Sequence, residues 1–187
     1  MDMLFFILIG VCLTLAGLAV LRRLIGFTAQ KPADYADAAT RLDLREHLTG
    51  SIVCEGVIYG INGRVTSRFK GDFEAEWTGN RGTMTERFEY STGAVQHRAW
   101  DLTLSNDGKI SALAEDLVGE GTGELIGDSL CLKYRIRLPK ESGGHVLDAV
   151  DWMYLTPNGT IVNRSQFRKF GIKVAELVAT MRRKDMA

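Results

Sequence analysis

The chain has 187 residues, of which 23 are Lys or Arg, 23 are Asp or Glu, and 45% are hydrophobic. This length fits one domain of ordinary size, the hydrophobic fraction excludes a disordered chain, and zero net charge argues against a nucleic-acid-binding protein, which would carry a basic face. Three Cys exclude a disulfide framework, and three scattered His argue against a histidine-rich metal site. The sequence shows no familiar catalytic motif, so we predict neither a cofactor nor a metal ion.

The N-terminal segment is a predicted membrane span. Residues 4–21 contain no charge, and a helix of this length rises about 27 Å, close to the thickness of a bilayer core. A cleaved signal peptide is the alternative, but its basic start is missing, and the positive charges of Arg22 and Arg23 follow the apolar run. A lipidated Cys12 is less well supported, because no small residue directly precedes it. We therefore expect a retained transmembrane anchor over residues 1–23.

The charges on either side of this span predict its orientation. Asp2 precedes the span, whereas Arg22, Arg23 and Lys31 follow it. By the positive-inside rule, the segment after the span, and with it the domain, lies in the cytoplasm.

A linker and a short helix are predicted next. Residues 24–42 have only a weak helical tendency and are assigned as a linker, with the folded domain at residues 43–187. Residues 43–48 match one short helix, with Asp43 as its N-cap and two Leu on one face.

The rest of the chain has the pattern of short antiparallel strands. Turn sequences rich in Gly, Asn and Asp recur about every 8 to 18 residues, and residues 65–78 alternate between apolar or small and polar side chains. About ten strands fit between residues 50 and 183, and a sheet with one dry face tends to close upon itself. We predict an all-β domain forming a single antiparallel up-and-down β-barrel, with a two-sheet sandwich as the alternative. Residues 173–183 also fit a helix, but a closing strand is favoured.

Two turns predict a row of charges across three strands. Three-residue loops at 91–93 and 106–108 place Glu86 opposite Arg98, and Arg98 opposite Asp116, on faces that are otherwise mostly apolar. Buried charges must pair, so we expect Arg98 to keep both carboxylates ionised and to lower their pKa values.

A second row is predicted near the C-terminus. A turn around Pro157 places Trp152 near Arg164, and the following turn places Arg164 near Glu176. Stacking of Arg164 on Trp152 would form a cation–π contact. A shift of one residue in either loop would exchange the two faces of these strands.

Two interpretations of these rows stay open. They are either internal salt bridges that specify strand order or polar groups that hold a ligand inside an aromatic-lined barrel. The predicted aromatic walls are Phe69, Phe73, Trp77, Trp100, Tyr134 and Trp152. The candidate ligand-binding residues are Glu86, Arg98, Trp100, Asp116, Tyr134, Trp152, Arg164 and Glu176.

Several stretches together resemble a known family. The strings CEGVIYG (54–60), GRVTSRF (63–69), DWMYL (151–155), NRS (163–165) and KFG (169–171) are similar to the bacterial domain-of-unknown-function family 3833, across residues 42–183. The resemblance implies a lipocalin-like barrel and supplies no activity or catalytic residue. Many relatives resemble exported lipoproteins, which implies a periplasmic domain, whereas the flanking charges favour the cytoplasm. A single span in the bacterial inner membrane is compatible with both.

Three classes of function follow from these observations. The favoured one is a membrane-tethered, lipocalin-like barrel that binds a small apolar or amphiphilic, lipid-like ligand. The second is a non-catalytic structural or assembly partner in the cell envelope, whose protein partners the sequence does not specify. The third is an enzyme that acts on a lipid-like substrate at the barrel mouth, suggested only by Glu86, His97 and Asp116. The predicted partners are the membrane and a lipid-like molecule, and no nucleic acid.

Overall fold

The computed structural model describes residues 2–186, and it begins with one long apolar helix, α1 (Asp2–Leu24). Within it, Met3–Leu21 is long and apolar enough to cross a membrane, and none of this stretch is buried against the rest of the chain. A membrane anchor and a signal sequence both have these properties.

A closed antiparallel β-barrel of ten strands follows within the described residues, and this confirms the predicted fold. The strands pair in chain order, and the barrel closes where β1 pairs with β10, which is the predicted closing strand. The strands are β1 (Gly50–Gly60), β2 (Val65–Thr78), β3 (Arg81–Tyr90), β4 (Val95–Leu104), β5 (Lys109–Leu113), β6 (Gly121–Ile126), β7 (Ser129–Arg137), β8 (Val146–Leu155), β9 (Ile161–Lys169) and β10 (Ile172–Arg183).

The alternation of side chains places one face of each strand inside the barrel. In β2, Phe69, Phe73 and Ala75 are buried, whereas Lys70 and Glu74 are exposed to solvent. Successive residues of a strand point to opposite faces, so a strand with this pattern separates an apolar interior from water.

The short helix α2 (Leu44–His47) closes one end of the barrel, which we call the closed end. Asp43 caps the helix, as predicted, by accepting a hydrogen bond of 2.9 Å from the Arg45 amide. Leu44 and Leu48 are almost fully buried. The indole of Trp77 donates a hydrogen bond of 2.8 Å to the Leu48 carbonyl and fixes the helix to the end of β2.

The segment between α1 and α2 packs on the outer wall of the barrel. It contains two short 3₁₀ helices, Phe27–Ala29 and Pro32–Tyr35. At its end, the Leu42 amide donates a hydrogen bond of 2.9 Å to the carbonyl of Gly127. Gly127 has a φ of 53°, and a Cβ at this position would lie 2.0 Å from the Tyr35 carbonyl oxygen. Only glycine therefore allows the segment to approach this turn so closely.

Candidate functional site

The barrel encloses a cavity of about 790 Å³, which is within the usual size of small-molecule sites. Leu44 and Leu48 form its floor at the closed end. At the opposite end, which we call the mouth, the lining continues to the segments between strands that contain Thr92, Ala94 and Ser142. The sequence did not show whether the interior is filled by side chains, and the structure shows that it is not.

Aromatic side chains form much of the cavity wall. The ring of Phe88 lies 5.5 Å from that of Phe69 and 5.1 Å from that of Phe73, and Trp100 meets Tyr134 edge-on at 5.5 Å. Of the six predicted wall residues, four line the cavity: Phe69, Phe73, Trp100 and Tyr134. Trp77 instead packs beside α2, and Trp152 faces outward.

The first predicted charged row is present in the cavity wall. Glu86 pairs with Arg98 across β3 and β4, as the turn predicted, and Arg98 Nη1 lies 3.5 Å from Glu86 Oε2. Arg98 Nε and Nη2 donate to the two carboxylate oxygens of Asp116, at 2.7 and 3.0 Å. The expected strand, however, stops at Leu113, so Asp116 reaches Arg98 from the turn that follows β5.

Burial gives the charged groups of this row pKa values that differ from the sequence-based expectation. Burial raises the pKa of Glu86, and the attraction of Arg98 opposes this only in part. The predicted lowering of the Glu86 pKa is therefore wrong in direction, because loss of hydration outweighs the ion pair. Burial alone would lower the pKa of Arg98, but the hydrogen bonds that Arg98 donates to Asp116 and the charge of Glu86 raise it above its usual value.

The sequence reasoning missed Asp151, which also lines the cavity. Its side chain is buried, and its neighbours across the sheet are Leu132 in β7 and Ser165 in β9. Burial raises the pKa of Asp151 to about 6, although the hydroxyls of Ser165 and Tyr134 and the charge of Arg98 favour the ionised form. Among the described residues, its Oδ1 atom is buried without a hydrogen-bond partner. Asp151 alternates along the strand with Leu147, Ala149 and Met153, which could have indicated an inward position, but the prediction placed the Trp152 face inside and so turned Asp151 outward.

The second predicted row lies on the outer wall, so its assignment to the barrel interior is wrong. Trp152 and Arg164 are opposite each other, as predicted, but both face away from the cavity, as does Glu176. Trp152 is buried because Phe27 and Tyr35 of the N-terminal segment cover it. The barrel-facing residues of β8 include Asp151 and Met153, so the pairing of β8 with β9 was predicted correctly and only the choice of the inward face was wrong.

Polar contacts join this outer row to the N-terminal segment. The guanidinium of Arg164 lies over the ring of Phe27, 5.1 Å from its centre, in place of the predicted stacking on Trp152. Glu176 accepts hydrogen bonds from Arg164 and from Lys173, both at 2.6 Å. The contact of Arg164 with Phe27 holds the segment against the wall, on the face opposite to the cavity.

The family assignment rests on most of the chain. The family described as "Protein of unknown function (DUF3833)" matches residues 21–183. The chain belongs to the DUF3833 family. No curated protein matches the chain.

Solved structures show the same fold. The S-type phycobiliprotein lyase CPES from Guillardia theta has 10% sequence identity and a TM-score of 0.55, and the match covers 75% of this chain and 90% of the lyase chain. Rv2717c from M. tuberculosis has 15% identity and a TM-score of 0.55, with 79% and 99% of the two chains covered. At such identities the likeness concerns the fold alone, and it shows that the DUF3833 barrel is lipocalin-like.

Metal-ligating residues and His97 also bear on what the site can do chemically. Within residues 2–186, no group of three or more His, Cys, Asp or Glu side chains has an arrangement that could hold a metal ion. His97 is exposed on the outer face, away from the Glu86 and Asp116 carboxylates inside. What the cavity provides is an apolar enclosure with a few buried polar groups at mid-height, a usual form of a ligand site.

Proposed function

We propose that this DUF3833 protein binds a small amphiphilic molecule inside its barrel. The observation that carries the proposal is the apolar cavity of about 790 Å³, which reaches from the floor at Leu44 to the mouth. Burial of an alkyl or ring system against this wall would contribute about 25 cal/mol for each Å² removed from water.

The distribution of polar groups supports one orientation of this ligand. The closed-end half of the cavity is lined by side chains such as Leu102, Ile110 and Leu130, whereas Arg98, Asp116 and Gln96 lie toward the mouth. An apolar tail therefore fits best toward α2, with the polar head near the mid-height of the barrel.

Native mass spectrometry of the full chain, released from detergent micelles, tests the proposal. We expect an additional mass of a small molecule after gentle purification, or stoichiometric uptake of added decanol. A chain that carries no small molecule and takes up no decanol would refute the proposal.

A pair of variants on β7 shows whether a bound molecule is inside the barrel. Leu132→Trp places a large ring in the cavity, whereas Lys133→Trp places the same ring on the exposed outer face of the same strand. We expect the first variant to weaken decanol binding about tenfold or more and the second to leave it unchanged. Equal effects would place the binding outside the barrel.

We also propose that α1 is a retained membrane anchor. The support is the uncharged run of residues 4–21 and the positive charges of Arg22 and Arg23 that follow it. Intact-mass measurement of the protein extracted from membranes tests this: the proposal predicts that residues 1–23 are retained, and a cleaved chain would contradict it. Protease digestion of sealed vesicles would then show on which side the barrel lies, where the flanking charges predict the cytoplasm.

A further inference from the structure

The single buried guanidinium of the cavity is already engaged by the protein's own carboxylates. All three nitrogens of Arg98 face carboxylates: Nε and Nη2 donate to Asp116, and Nη1 lies 3.5 Å from Glu86. The centre of the guanidinium also lies 4.6 Å from the centre of the Trp100 ring, so that this ring covers one flat face. A carboxylate or phosphate on a ligand would have to displace one of these partners in order to bind Arg98.

The charged side chains that line the cavity are mainly acidic. The interior contains three carboxyl groups, those of Glu86, Asp116 and Asp151, and one guanidinium, that of Arg98. At the mouth, the exposed Arg137 and Glu141 carry one positive and one negative charge. Among the lining residues that the structure describes, no Lys or His adds a positive charge. An anionic head group would therefore meet carboxyl groups rather than a free cation, and like charges in a water-poor site repel strongly.

Asp151 is the acidic group whose hydrogen-bonding capacity is least satisfied. Its carboxyl group is 6% exposed, it lines the cavity, and its Oδ1 has no hydrogen-bond partner among the described residues. The nearby groups that favour its ionised form are the hydroxyls of Ser165 and Tyr134 and the more distant charge of Arg98. A buried acceptor without a partner is costly, and a donor supplied by a ligand would remove that cost.

We propose that the ligand of the barrel carries a hydrogen-bond-donating head without negative charge, an amine or a hydroxyl group, and that this head binds Asp151. This inference rests on the proposed binding of an amphiphile in the cavity and names the class of that amphiphile. The amine is favoured over the hydroxyl because it adds a charge-assisted hydrogen bond to the carboxylate.

The depth of Asp151 defines where the head would lie. In β8 (Val146–Leu155), Asp151 is five residues from the mouth and four residues from the closed end. Those four residues of strand are about 13 Å long, and this is the depth between Asp151 and the floor. The side chains on the floor side, such as Met84, Leu130 and Met153, are apolar. An alkyl tail of moderate length fits this space while its head remains at the level of Asp151 and Arg98.

A series of three probes with one tail and different heads tests the inference. Decylamine, decanol and decanoate, each below its critical micelle concentration, are added to the full chain at pH 7.5, and bound copies are counted by native mass spectrometry. We expect decylamine to bind tightest, then decanol, with decanoate weaker than decylamine by about tenfold or more. Equal or tighter binding of decanoate, with decanol bound, would overturn the inference and leave the proposed function intact. Failure of all three probes to bind a chain that carries no small molecule of its own would instead refute the proposed function.

Two variants of β8 test whether a preference for decylamine over decanol depends on Asp151. Asp151→Asn removes the interior charge, and Asp148→Asn makes the same change on the exposed outer face of the strand. We expect the first to abolish the preference for decylamine over decanol while decanol still binds, and the second to preserve it. A preference that survives Asp151→Asn would overturn the assignment to this residue. Retained binding of decanol shows that the variant has kept its cavity.

Discussion

Arg98 donates to both carboxylate oxygens of Asp116, at 2.7 and 3.0 Å, although Arg98 lies in β4 and Asp116 in the turn after β5. The same guanidinium pairs with Glu86 on the other neighbouring strand. Three consecutive elements of the barrel are thereby joined by one side chain. This geometry agrees with the interpretation of the charged row as internal salt bridges. Because Arg98 is already paired, the polar groups of the cavity that remain available to a ligand are hydrogen-bond acceptors.

Loss of Arg98 should destabilise the barrel strongly. Arg98→Met leaves Glu86, which is 8% exposed, without its counter-charge, and breaking a buried pair in this way costs about 3–5 kcal/mol. Glu86→Gln combined with Arg98→Met should recover a large part of this loss, because it removes the more buried of the two carboxylates that Arg98→Met leaves without a partner. Denaturant unfolding of the full chain in detergent measures both. A loss below about 1 kcal/mol for the single variant would contradict the importance of the pair.

Closure of the barrel by α2 should depend on Leu44. This side chain is 1% exposed, and Leu44→Ala removes buried methyl groups at the cavity floor, which costs about 2–5 kcal/mol. The same unfolding measurement detects the change. Glu46→Ala, on the exposed side of the same helix, is the matched control and should leave stability nearly unchanged. Similar losses in the two variants would mean that the helix contributes through its backbone rather than through its apolar face.

Docking of the N-terminal segment should protect Cys131 from thiol reagents. Cys131 is 4% exposed beneath Phe27 and Trp152, and burial raises the pKa of its thiol. Phe27→Ala uncovers it, so maleimide labelling, followed by peptide mass spectrometry, should accelerate about tenfold or more. Phe170→Ala, which truncates a Phe that is 90% exposed, should leave labelling unchanged. Unchanged labelling of Cys131 in Phe27→Ala would contradict the packed arrangement of the segment.

The buried carboxyl of Asp151 should give stability a recognisable dependence on pH. Its pKa of about 6 in the folded protein lies above the ordinary value of 3.8. The native state therefore keeps this proton at pH values where the unfolded chain has lost it, and the contribution of Asp151 to stability falls as pH rises through this window. The full effect is about 3 kcal/mol between pH 4 and pH 7 or above.

Replacement of Asp151 by Asn removes this dependence. Relative to the wild type, we expect the free energy of unfolding of Asp151→Asn to increase as pH rises from 4.5 to 7.5, measured by denaturant unfolding across the range. Asp148→Asn, outside the barrel, is the control. A difference between Asp151→Asn and the wild type that is the same at every pH would show that Asp151 titrates normally.

Short turns made the first half of the barrel predictable from the sequence. The loop at 91–93 allows one pairing of β3 with β4, so the opposition of Glu86 and Arg98 followed from counting residues. Counting also paired Trp152 with Arg164 correctly, but it did not show which face of β8 points inward. A large apolar residue within an alternating strand resembles a core residue whichever face it occupies. Only the packing of Phe27 and Tyr35 shows that its burial is on the outer wall.

Local periodicity and turn residues were enough to predict an apolar N-terminal segment, a short capped helix and about ten antiparallel strands with one dry face. The folded chain was needed to show that the interior holds a cavity, that Asp116 reaches Arg98 from a turn, and that Asp151 rather than Trp152 faces inward. Those features depend on the stagger of the closed barrel and on contacts between residues far apart in the chain, such as Phe27 with Arg164. The local periodicity of the sequence contains no information about the stagger of the barrel or about these long-range contacts.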